Sequence, residues 1–265
     1  MNARDLLFSG WSFNPVVLFT IAAATLAYAT LVGRRGRPGL FAGAAAALAL
    51  ALLSPINLLA NGVLFTAHMV QHLLLLLIVP ALALLCLPSF ESARGALDPD
   101  GRPRVPAVAI LGWILGVGAM WFWHVPSLCN AAASRTAVHS LQTVSLLAMG
   151  TAFWWPILSP RAQDRLVPGY GIAYLFSACL ACSALGIMLT FTTAEVCSIF
   201  SAPLMVTGPW ATLRDRVPFA TDQQIGGLLM WLPMCLVYAA AIMLELARWM
   251  GEERGARVAS RKGSA

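Results

Sequence analysis

Charge is what this chain has least of. Aspartate, glutamate, lysine and arginine make up 11% of its 265 residues, where a soluble domain carries about a quarter. So few charges cannot cover a water-facing surface, and a mean hydropathy of +0.77 excludes the soluble globular class. Lysine is nearly absent, since only Lys262 in the C-terminal tail remains. A retinal Schiff base needs a lysine inside a helix, so a retinal pigment is excluded. There is no glycine-rich phosphate loop and no Ser/His/Asp arrangement, so the chain reads as a non-enzyme. Six cysteines scattered through apolar sequence do not make the disulfide framework of a small secreted domain. The opening MNARDLLFSGWSFNP lacks a charged region leading into a short apolar core, so no cleavable signal peptide is expected. With no internal repeat or long linker, residues 1–265 are expected to form one transmembrane domain.

Long apolar runs are what the chain does have, with 59% of residues hydrophobic. A spanning helix takes about 20 such residues, and the candidates run about 14–33, 38–56, 62–88, 105–124, 136–157, 169–191 and 223–247. The expectation is an all-α membrane protein, a bundle of seven transmembrane helices. Basic residues then orient it. Arg34, Arg35 and Arg37, Arg94, Arg102 and Arg104, Arg161 and Arg165, and the tail with Arg248, Arg254, Arg257, Arg261 and Lys262 fall on one side. Only Arg4, Arg135, Arg214 and Arg216 fall on the other. The positive-inside rule puts the N-terminus outside and the C-terminus in the cytoplasm. The net charge of +6 is accordingly read as topology and contact with membrane lipids, with no nucleic acid as partner.

In this orientation all four histidines lie at the outer side. His68 and His72, in HMVQH, are one helical turn apart on one face and roughly 8 to 15 Å deep at 1.5 Å per residue. His124 ends the fourth segment and His139 opens the fifth. Ligating side chains inside a membrane are costly and are functional candidates by default. Imidazole suits copper, zinc and iron, and Met69, Met188 and Met230 add thioethers, so the four histidines are a candidate copper site. The plainer reading is hydrogen bonding between helices. An alternative is b-type haem held by His68 or His72 with His139. His68 and His72 share one face of one helix and cannot flank one haem. Gln71 and Asp222 are candidate partners of a ligating imidazole. Asp222 equally suits the first turn of its own helix, and Gly226 and Gly227 suit a close helix approach. Cys179 and Cys182 read as packing, as do Cys86 and Cys235. Cys129 and Cys197 share the outer side, where a disulfide can form.

HMVQHLLLLLIVPALALLCLP, WHVPSLCNAA, FWWPIL, LGIMLTF and DQQIGGLLMW, in that order, resemble the multi-span cytochrome c oxidase assembly factor family called CtaG. The likeness runs from about residue 20 to 250 and implies a multi-pass protein of the bacterial plasma membrane. By this resemblance it helps copper reach a haem-copper oxidase, with the oxidase subunits and a copper chaperone as partners in respiratory chain biogenesis. The motif histidines carried over are His68, His72, His124 and His139, and the motif acid is Asp222. Where such proteins often read H-x-x-E-H on the fifth helix, this chain has His139, Gln142 and Thr143. A second histidine and a carboxylate are therefore missing there: either the site uses fewer ligands, with a cysteine or methionine substituting, or this member has drifted in function.

Overall fold

A computed structural model of the chain describes residues 10–89, 107–201 and 216–263, with side chains as far as Gly251. Arg4, Arg94, Arg102, Arg104 and Arg214, and the first two residues of the 105–124 segment, lie outside the described residues. The side chains of Arg254, Arg257, Arg261 and Lys262 do so too. Among the described residues the regular structure is helical.

Helix α1 spans Pro15–Arg35. It begins where Pro15 supplies a helical φ without a needed N–H and the Asn14 side chain accepts from Val16 N. Helix α2 is Pro38–Leu52 and the short α3 is Pro55–Ala60. Helix α4, Phe65–Leu85, contains a wide turn at Leu74–Ile78 just before Pro80. Proline lacks the N–H that would close a regular turn there. Helix α5 is Ala107–Trp123 and α6 is Pro126–Ser134, bent 76° from it. Helix α7 is Thr136–Leu158, α8 is Pro168–Phe191 and α9 is Phe219–Gly263.

All seven apolar segments are thus helical, but they are not equal. Among the described residues five helices are long and apolar enough to cross a membrane: α1, α4, α7, α8 and α9. Helix α5 qualifies only when joined to its bent continuation α6. Helix α2 ends after 15 residues, about 22 Å at 1.5 Å per residue. The expected run to residue 56 is broken at Ser54, whose hydroxyl accepts from Ile56 N and starts α3 instead. The protein is a multi-pass membrane protein.

Helix α4 is the buried centre, and Phe65, Met69, Leu75, Leu76 and Leu77 are almost wholly enclosed. Small residues let neighbours reach its backbone. The carbonyl of Leu76 lies against Gly150 of α7, where a Cβ would collide. Gly226 and Gly227 let α9 press on two helices at once. A Cβ on Gly226 would stand 2.6 Å from the Phe65 ring, and one on Gly227 2.7 Å from the Thr190 nitrogen of α8. Glu245, just past the middle of α9, is buried against Arg248 Nη1 at 2.6 Å. The salt bridge one turn on offsets the cost of burying the carboxylate.

Candidate metal centre

The centre forms where α3, α4, α5 and α7 approach at one end of the bundle. Helix α3 stops at Ala60, and Gly62, at φ +87°, turns the chain back. The last carbonyls of a helix have no partner within it. Ala60 O, one of these, meets His68 Nδ1 at 3.2 Å. A carbonyl can only accept, so Nδ1 carries the hydrogen and the neutral ring keeps its lone pair on Nε2. That Nε2 is buried without a hydrogen-bond partner.

His124 repeats this arrangement from another helix. Pro126 opens α6 and bars α5 from continuing, which leaves His124 at the bend. Its Nδ1 donates to Met120 O at 2.5 Å, and its Nε2 faces Met69 Sδ at 3.3 Å. His72 lies between the two, its ring centre 4.4 Å from that of His68 and 5.3 Å from that of His124. Neither nitrogen of His72 has a hydrogen-bond partner. The Gln142 amide lies close enough to His72 to interact with it, but its Nε2 is unpartnered by distance and angle.

His139, in the first turn of α7, lies within electrostatic reach of His68 and His72. Both of its nitrogens are buried and unpartnered. It also borders a cavity of about 600 Å³ lined by Asn57, Asn61, Arg135, Thr136 and Thr143. Four imidazoles therefore gather at one end, three of them in ring contact. Among the described residues no group of three or more His, Cys, Asp or Glu side chains is set to hold one ion. Met69 adds a thioether beside His124. This donor set fits a soft or borderline ion such as copper.

Gln71 and Asp222 have other tasks. Gln71 Nε2 donates to Ala51 O at 2.9 Å and Asn57 Oδ1 at 3.0 Å, so it ties α4 to α2 and α3. Asp222 accepts from Phe65 N at 2.6 Å and Thr66 N at 3.0 Å. Its carboxylate therefore caps α4, across 157 residues of sequence, instead of its own helix. Negative charge at a helix N-terminus is favoured by the dipole and by the unpaired N–H groups. Both residues fix the backbone that carries the histidines, and neither hydrogen-bonds an imidazole.

A loop closes the centre from outside the bundle. Cys129 of α6 and Cys197 form a disulfide. Asn130 Oδ1 accepts from Ile199 N at 2.8 Å, and Gln223 Oε1 accepts from Val196 N at 3.1 Å. Thus held, Phe200 lays its ring 5.6 Å from His68 and 5.7 Å from Phe65. The sequence reading missed Phe200, Ala60 and Met120. The last two act through backbone carbonyls, which no side-chain pattern reveals.

No solved structure matches the chain. An uncharacterised protein of Mycobacterium leprae is 23% identical over 96% of this chain and 41% of its own length. Uncharacterised proteins of Mycobacterium bovis and Mycobacterium tuberculosis are each 25% identical over 75% of this chain and 31% of their own. The chain thus spans well under half the length of these curated relatives. Residues 17–252 match the family described as cytochrome c oxidase caa3 assembly factor (Caa3_CtaG). That match takes in every helix of the histidine centre, and the chain belongs to the cytochrome c oxidase caa3 assembly factor family.

Proposed function

We propose that this chain handles copper during assembly of a haem-copper oxidase, at a buried site of few ligands built from His68, His72 and His124 with His139 beside them. The observation that carries the reading is the pair of oriented imidazoles. His68 and His124 each spend Nδ1 on a backbone carbonyl, which leaves Nε2 of each as a lone-pair donor inside the bundle. A buried polar atom without a partner costs roughly 1–3 kcal/mol, and a bound cation would remove that cost. Met69 Sδ beside His124 supplies the soft ligand that cuprous ion favours. Few ligands and a mixed donor set suit a site that must release its ion as well as take it up. Copper here is cargo, and the protein performs no catalysis.

In this proposal the seven helical segments all span the bacterial plasma membrane, α2 and α3 together making the second crossing. The N-terminus lies outside and the C-terminus in the cytoplasm, which places the histidines at the outer side. The partners are oxidase subunits, a copper chaperone that loads the site, and anionic lipid around the basic inner loops. The alternative of b-type haem has no observation in its favour. The cavity at His139 is not bordered by His68 or His72, and those two rings are packed against each other and against Phe200 and His124.

The test is complementation. Cells deleted for this chain would carry either the parent or the His68→Ala/His72→Ala double variant. Copper per oxidase in purified membranes should be restored by the parent and not by the double variant at equal expression. Restoration by both would overturn the copper-handling role.

A further inference from the structure

The histidines are not the only metal-binding side chains brought together. Helices α8 and α9 pack against each other, and in mid-helix thiols from both meet in a half-buried seam. Cys179 of α8 and Cys235 of α9 stand 3.4 Å apart, sulfur to sulfur. Ser183, one turn along α8, places its Oγ 3.2 Å from Cys235 Sγ. All three are half-buried. Cys182 belongs to the same C-x-x-C pair but turns inward, 3.9 Å from Tyr238 Oη. The Cys179–Cys182 spacing therefore misleads, because the thiol in contact with Cys179 comes from another helix.

We propose that Cys179 and Cys235 form a second, two-coordinate site for a soft monovalent cation of the cuprous class. The argument is geometric and electrostatic. Two metal–sulfur bonds of about 2.3 Å span at most about 4.6 Å. The present 3.4 Å separation would give an angle of roughly 95° with such bonds. Small χ1 rotations of two short side chains in a half-open seam widen it towards linear. Zinc would need a third and fourth donor, and the described residues hold no such group. Thiols select cuprous ion over harder metals. Charge points the same way, because net charge is costly in a membrane. Binding displaces one thiol proton to the aqueous phase, so the ion, one thiolate and one thiol sum to zero. Ser183 Oγ is in place to donate to the Cys235 thiolate.

The experiment uses the full chain in detergent, in the His68→Ala/His72→Ala background. It is purified anaerobically without thiol reductant so that Cys129–Cys197 stays closed. The probe is tetrakis(acetonitrile)copper(I). About one equivalent should bind, with copper-edge absorption showing sulfur neighbours. Cys179→Ser and Cys235→Ser should each abolish it, while Cys182→Ser should keep it. In the unmutated chain, one equivalent of silver(I) should shield Cys179 and Cys235 from maleimide, read by peptide mass spectrometry. Equal uptake by the serine variants, a nitrogen- or oxygen-only absorption spectrum, or undiminished labelling under silver would overturn the proposal. The histidine site is judged separately, by the difference between the parent and the histidine background.

Discussion

The Nδ1 of His68 and the carbonyl of Ala60 are 3.2 Å apart, at the point where α3 ends and the chain turns back into α4. This one contact fixes the tautomer of His68, aims its ring and leaves Nε2 available. The six-residue helix α3 ends there. Without α3 there would be no free helix-end carbonyl beside the histidine.

Asp222 is the other support of that helix. Replacing it by alanine strands the buried N–H of Phe65 and the half-buried N–H of Thr66, each now bonded to the carboxylate. A loss of roughly 1–3 kcal/mol is expected from the cap and its charge-assisted bonds. Thermal unfolding in detergent should show a lowered Tm, with Asp222→Asn intermediate because one acceptor remains. An unchanged Tm would contradict the capping role.

Close helix contact at Gly227 yields a second prediction. A Cβ there would stand 2.7 Å from a backbone nitrogen that cannot step aside, so Gly227→Ala should destabilise by roughly 1–3 kcal/mol. Gly39→Ala is the control, since nothing lies within 4 Å of its Cβ position. Parallel Tm measurements check the pair, and equal values would show that α8 and α9 pack more loosely than described.

The Phe200 loop should control access. Cys197→Ser removes the covalent tie to α6, leaving the hydrogen bonds that Ile199 N and Val196 N donate to Asn130 and Gln223. Stopped-flow removal of copper by a chelator should become several-fold faster, with a smaller change in affinity. Phe200→Ala should act in the same direction. Identical release rates would show that the ion leaves by another route, for which the cavity at His139 is the first place to look.

How much of this was legible in the sequence depends on the range of the interaction. The helices were legible because lipid demands long apolar runs, and the histidine pair because four-residue spacing is a local property of a helix. Helix α2 was overextended because Ala- and Leu-rich sequence runs on past Ser54, and only the hydroxyl cap shows where the helix stops. The role of Asp222 could not be read, because its partners lie 157 residues away and its own first turn offered an equally good explanation. The contact between Cys179 and Cys235 was hidden for the same reason. Cys179, Cys182 and Cys235 all read as packing, and the thiol that meets Cys179 comes from across the seam. The convergence of His124 with His72 needed the bend between α5 and α6, which Pro126 hinted at without giving its angle.

The central claim is that the imidazoles on α4 bind copper. Its most direct test is elemental analysis of the purified chain loaded with copper and desalted, in parent and His68→Ala/His72→Ala forms. Cys179→Ser is added to both so that only the histidine site is counted. About one equivalent of copper in the first and none in the second is the predicted result. Equal copper in both, or none in either under oxidising and reducing conditions alike, would contradict it and leave the four histidines as packing residues.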